Sequence, residues 1–260
     1  MKYLCNALEI NKTINFLSFG DELETESMKY LANVLQVNKT IKYLELNCKN
    51  MKIEGIKYVF NALKDNKIIN YLCVQNLCEE TLKYLNEVIQ INTTISRLLL
   101  KKTIFNNNKI NDLTDMIKNN NTIINLDLSS NTIDVDGIEK ICDTLKNNQS
   151  IERLNFKFLN IEGKKMKYLN KMLKFNKNIN HLNLISNNIS NKEIIDLNRM
   201  LKNNNTIKTL ELSYNKIDKN GFRLLSNGLQ YNNTIRNLNI KGLRIENHII
   251  KIFKHLTIKI

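Results

Sequence analysis

One nine-residue pattern, Asn-x-x-Ile-x-x-apolar-x-apolar, recurs nine times along this chain. Its isoleucines are Ile14, Ile41, Ile69, Ile95, Ile123, Ile151, Ile179, Ile207 and Ile235, separated by 27, 28, 26 and then five times by 28 residues. Typical copies are NNTIINLDL at 120–128, NKNINHLNL at 176–184 and NNTIRNLNI at 232–240. A near-constant period of this length marks a solenoid, in which one unit cannot bury its own apolar faces and stacked neighbours supply the core.

Within each unit the hydrophobic period changes. Leu126 and Leu128 alternate with other residues, the rhythm of a strand with one buried face. Ile138, Ile141 and Leu145 then recur at helical spacing, one stripe of a helix. Later units repeat the stripe as Met166, Leu169 and Leu173, as Ile194, Leu197 and Leu201, and as Phe222, Leu225 and Leu229. Each unit therefore predicts a short strand, a turn, a helix of about three turns and an Asn-rich return loop. Strands that run the same way and are joined through helices form a parallel sheet with helical crossovers.

The composite pattern I-x-x-L-x-L-x-x-N-x-I-x-x-x-G-I-x-x-I-x-x-x-L resembles the ribonuclease-inhibitor type of leucine-rich repeat over essentially the whole chain. The resemblance implies an α/β fold, a right-handed β-α solenoid (horseshoe) with parallel strands on the concave face and helices on the convex face. The chain then reads as a single domain, 1–260, with a partial repeat helix at 1–10 and repeats starting near 11, 38, 66, 92, 120, 148, 176, 204 and 232. The family's Asn at the turn stands here as Asn131, Asn187 and Asn215, whereas Leu77, Thr103, Leu159 and Leu243 replace it elsewhere. Two residues are missing between Val74 and Leu82, which predicts a local kink.

At the ends, Leu4 and Leu8 occupy the last two core positions of a repeat helix. A final helix carries Ile249, Ile250 and Phe253, followed by a short tail, Thr257–Ile260. Neither end shows a dedicated polar cap, which solenoids need for solubility. Two readings stay open: the ends associate with something, or this is a trimmed copy of a longer repeat protein.

Chemistry-bearing motifs are scarce. There is no Walker loop, no G-x-G-x-x-G and no H-E-x-x-H, so the chain reads as non-enzymatic and without a cofactor. His181 sits at a strand edge, while His248 and His255 lie two turns apart in the final helix, which argues against a metal site. Five cysteines without a C-x-x-C pair exclude a fully paired disulfide framework and a zinc ribbon. Cys5 and Cys142 read as small core fillers, and Cys73, at the middle outward position of its strand, as an exposed thiol. With no spanning apolar run and no secretory signal, the chain reads as soluble and intracellular, in the cytoplasm. Eight N-x-S/T sequons, seven of them the return loop itself, are therefore read as unmodified.

The strand face holds the candidate site. The column preceding the first buried residue of each strand reads Phe16, Tyr43, Tyr71, Arg97, Asn125, Arg153, His181, Thr209 and Asn237. Adjacent strands lie about 4.8 Å apart, so these side chains form a ladder. Of these, Phe16, Tyr43, Tyr71, Arg97, Arg153 and His181 have the composition of protein-interface anchors. A neighbouring column holds Lys101, Lys157, Ile185 and Lys241.

Charge supplies a second candidate. The formal net charge is +14, of which residues 1–130 carry +2 (16 basic, 14 acidic) and 131–260 carry +12 (23 basic, 11 acidic). Lys164, Lys165, Lys167, Lys171, Lys174 and Lys177 concentrate on and just after one helix, a basic patch suited to a polyanion such as a nucleic acid or an acidic protein. With 46 Asn and 35 Ile the composition is that of AT-rich coding, which also inflates lysine, so the charge alone is weak evidence. The leading reading is a scaffold that grips a protein partner through the ladder. The alternatives are polyanion binding, a GTPase-regulatory role known for some proteins with this repeat type, and a degenerate copy without selected activity.

Overall fold

In the computed structural model, which describes residues 1–20, 22–243 and 257–259, helices and strands alternate along the chain. The residues group into two units, 1–127 and 128–260. The first contains α1 (Lys2–Ile10), β1 (Phe16–Phe19), α2 (Thr25–Val37), β2 (Tyr43–Asn47), α3 (Ile53–Asp65), β3 (Tyr71–Gln75), α4 (Glu79–Ile91), β4 (Arg97–Lys101), β5 (Ile104–Phe105), α5 (Asn107–Asn119) and β6 (Asn125–Asp127). The second contains β7 (Thr132–Ile133), α6 (Val135–Leu145), β8 (Arg153–Asn155), α7 (Lys164–Phe175), β9 (His181–Asn183), α8 (Asn191–Asn203), β10 (Thr209–Glu211), α9 (Lys219–Leu229), β11 (Asn237–Asn239) and β12 (Thr257–Lys259).

Both units are α/β stacks with parallel sheets. In the first, β1, β2, β3, β4 and β6 pair in that order, with Leu17, Leu44, Leu72, Leu98 and Leu126 in register. In the second, β8 to β12 pair in chain order through Leu154, Leu182, Leu210, Leu238 and Ile258. The unit around β9 buries Ile179, Leu182, Leu184, Ile189, Ile194, Leu197 and Leu201 completely. Burying each such side chain stabilises by about 1.5–3 kcal/mol before chain ordering is counted. No helix among the described residues is long and apolar enough to cross a membrane.

The return-loop asparagine is held at both ends of its amide. Asn38 donates through Nδ2 to Leu8 O at 2.7 Å, while its Oδ1 accepts from the N–H groups of Thr40 and Ile41. Asn66, Asn92 and Asn120 bond in the same way to Leu35, Leu63 and Ile89. Asn176, Asn204 and Asn232 do so in the second unit, to Leu145, Leu173 and Leu201. Each of those carbonyls lies near a helix C-terminus, where the last backbone acceptors lack partners inside the helix. Only a short side chain with both a donor and an acceptor can close the loop and cap the helix of the preceding repeat at once.

A second set of asparagines holds the turn after the strand. Asn187 donates to Phe156 O at 2.8 Å and accepts from the N–H groups of Leu159 and Ile161. Asn215 bonds to Leu184 O and accepts from Asn187 and Ile189. Thr103 does part of the same work, accepting from Leu77 N and donating to Lys101 O.

Several expectations change here. The two-residue deletion leaves the sheet intact: β2, β3 and β4 stay in register, and α3 and α4 each keep 13 residues. The loss is absorbed in the turn, which is 48–52 after β2 but only 76–78 after β3. Leu4 is 49 % exposed, and Cys5 shares the buried side of α1 with Leu8 instead. Residues 257–259 are no loose tail but a strand paired with β11, because Ile258 takes the register of Leu238. His248, His255 and the final helix with Ile249, Ile250 and Phe253 lie outside the described residues.

Candidate functional site

A strand points alternate side chains to opposite faces, so the leucines that anchor the core oblige their neighbours to face away from it. In the first unit the register sets Phe16, Tyr43, Tyr71, Arg97 and Asn125 side by side across five strands. The rings of Tyr43 and Tyr71 meet at a centroid distance of 5.3 Å and a tilt of 48°, an aromatic pairing favoured over a flat stack. Both tyrosines are half-buried, while Phe16 (51 %) and Arg97 are exposed on either side of them.

The next column of this unit is Ser18, Glu45, Cys73, Leu99 and Asp127. Glu45 accepts from Gln75 Nε2 at 2.5 Å and, more weakly, from Cys73 Sγ at 3.6 Å. Cys73 is buried, not exposed as its outward position suggested, with the larger Glu45 and Leu99 flanking it in register on the adjacent strands. Burial first, and the Glu45 carboxylate second, push its thiol up to about 12. Burial raises the Tyr71 phenol in the same direction. Cys5 and Cys142 are buried as core fillers, whereas Cys78 is exposed at the start of α4, where its sulfur accepts from Thr81 N.

In the second unit Arg153, His181, Thr209, Asn237 and Thr257 form the corresponding column. Arg153 Nη2 lies 3.3 Å from His181 Nδ1, and His181 Nε2 lies 3.0 Å from Glu211 Oε1. A guanidinium can only donate and a carboxylate here only accepts, so the imidazole carries its hydrogen on Nε2 when neutral. The chain Arg153–His181–Glu211 fixes all three side chains along one wall of a groove of about 300 Å³ that Thr209, Asn237 and Asn239 also line. No group of three His, Cys, Asp or Glu that could hold a metal occurs among the described residues.

Two exposed aromatics of this unit escaped the sequence reading. Phe158 (52 % exposed) and Tyr214 (55 %) occupy the turn after the strand with φ of 58° and 56°, a left-handed conformation that is costly for a bulky side chain. Equivalent positions hold Ser130, Ser186 and Gly242, so an aromatic interrupting a small or polar column was the available signal. Gly242 leaves room for its neighbour: a Cβ there would come within 2.7 Å of the Tyr214 ring. Lys157 Nζ stands 4.8 Å from the Phe158 ring.

The lysines of α7 do not act as one group. Lys164, Lys167, Lys171 and Lys174 are exposed along the helix, and Lys177 is exposed in the loop after it. Lys165 instead points inward, donating to Ile133 O at 2.8 Å and Leu159 O at 3.1 Å, and its burial lowers its pKa. In the first unit Lys109 makes the same kind of strut, to Leu77 O and Ile104 O, both at 2.9 Å.

No family model and no curated protein matches the chain. Among solved structures, the leucine-rich repeat-containing protein LegL7 of Legionella pneumophila is similar at a TM-score of 0.61 and 16 % identity, covering 93 % of this chain and 77 % of LegL7. A Bacteroides fragilis protein is similar at a TM-score of 0.52 and 11 % identity, covering 85 % of this chain and 65 % of that one. Actin-binding site 2 of leiomodin-1 reaches a TM-score of 0.48 at 20 % identity, covering 69 % of this chain and 91 % of that one. With the parallel sheets and helical crossovers, the Legionella and Bacteroides likenesses establish a leucine-rich-repeat α/β solenoid.

Proposed function

We propose that the chain is a non-enzymatic, intracellular scaffold of ribonuclease-inhibitor-type repeats that binds a protein partner through its strand face. The observation that carries this reading is the half-buried Tyr43–Tyr71 pair with exposed Phe16 and Arg97 beside it, aromatic surface ordered by sheet register and partly open to solvent. Aromatic and arginine side chains concentrate binding energy in interfaces, and a rigid sheet spares the cost of ordering them on contact. Support in the second unit comes from Arg153 and His181, held by Glu211, and from the strained, exposed rings of Phe158 and Tyr214.

The test is a pull-down from nuclease-treated lysate at low and high salt. It compares the wild-type chain with a Tyr43/Tyr71/Arg97/Arg153→Ala variant whose fold is verified by circular dichroism. A discrete protein retained at high salt by the wild type and lost with the variant is the expected result. Prey that bind both baits equally and wash off in salt would overturn the reading, since exposed charge is then the attraction.

A further inference from the structure

The faces of α7 and α8 bound a groove of about 600 Å³ on the helical side of the second unit. Lys167, Lys171 and Lys174 line it from α7, and Arg199 lines it from α8. Its one acid is Asp196, which already pairs with Arg199 at 3.2 Å, so the groove keeps a clear excess of positive charge. Beside Lys171 sits Asn170, whose amide nitrogen and oxygen are both shut off from solvent and meet no partner among the described residues. Nearly all buried polar atoms in folded proteins are bonded, so an unpaired amide on a residue that lines a cationic groove indicates a missing bonding partner.

We propose that this groove binds a short oligophosphate, either free or as a phosphorylated lipid headgroup. From Lys167 to Lys174 the helix rises by about 10 Å, which spreads the three lysines over the length of a chain of two or three phosphates. Lysine stems are flexible and can follow a phosphate chain along the groove wall that Asn170 shares. The volume lies within the range of small-ligand sites, about 300–1,000 Å³. The site is separate from the strand-face surface, so either can fail without the other.

The test is calorimetric titration of the chain with sodium tripolyphosphate, with folding of every variant verified by circular dichroism. Wild type is expected to bind saturably at one site. Lys171→Gln/Lys174→Gln should weaken binding at least about tenfold, as lost charge-assisted bonds do, and Asn170→Ala should weaken it by a few-fold with the charge unchanged. The charge-matched control Lys208→Gln/Lys219→Gln should bind like wild type. Flotation with phosphatidylcholine vesicles, with or without a phosphoinositide, distinguishes the sources: flotation that tripolyphosphate competes away assigns a headgroup, and its absence assigns a free oligophosphate. No saturable binding, or an equal loss in the control, would overturn the proposal.

Discussion

The side-chain amide of Asn176 donates to the carbonyl of Leu145, 31 positions earlier, at 2.7 Å, while its oxygen accepts from the N–H groups of Asn178 and Ile179. This one residue ties the return loop after α7 to α6, the helix of the preceding repeat. Asn176→Ala strips partners from buried groups and should cost about 1–3 kcal/mol in urea unfolding. Asn176→Asp should cost more, because a carboxylate cannot donate to Leu145 and would be charged where it is buried. An Asp variant as stable as wild type would show that the asparagine is not the tie.

Leu182 is fully buried and pairs in register with Leu154 and Leu210. Leu182→Asp places an unpaired charge in the core and should abolish the cooperative thermal transition. A sharp transition near the wild-type temperature would contradict the assigned register.

Lys165 and Lys164 are neighbours with opposite roles. Lys165→Met leaves the carbonyls of Ile133 and Leu159 without their donor and should cost about 1–3 kcal/mol. Lys164→Met, at an exposed position, should stay within about 0.5 kcal/mol. Equal effects on the urea midpoint would remove the strut role.

The buried thiols predict an alkaline loss of stability. Cys48, Cys73 and Cys142 are each raised from 9.0 to about 12, chiefly by burial. Below pH 9 folded and unfolded chains both hold these protons. Between pH 9 and 12 the unfolded chain releases them and the folded chain does not, so stability is full below pH 9 and falls as pH rises to 12. Cys73→Ala should flatten that decline in urea unfolding followed from pH 8 to 11. Under native conditions a maleimide should label Cys78 and spare Cys73.

How much of this was legible depended on whether a residue's role follows from its own repeat. Strands and helices were readable because leucine alternation and the helical stripe are local patterns, and Leu182 or Ile194 needs no neighbour to declare its face. The strand ladder from Phe16 to Arg97 followed from the same register. The burial of Cys73 did not, because it depends on the adjacent strands, where Glu45 and Leu99 flank it in register, and an outward position says nothing of what stands beside it. Lys165 looked like part of a charged run, since its inward acceptors, Ile133 and Leu159, lie in other segments. Thr257–Ile260 read only as a short tail, yet three residues suffice for a strand when β11 already offers an edge.

The central claim is that a partner meets the strand face, and site-specific photo-crosslinking tests it most directly. A benzophenone amino acid would replace Tyr71 on that face or Tyr58, an exposed residue of α3, in otherwise wild-type chains. The account predicts a discrete adduct in lysate from position 71 and none from position 58. A discrete adduct from position 58 with none from position 71 would contradict it.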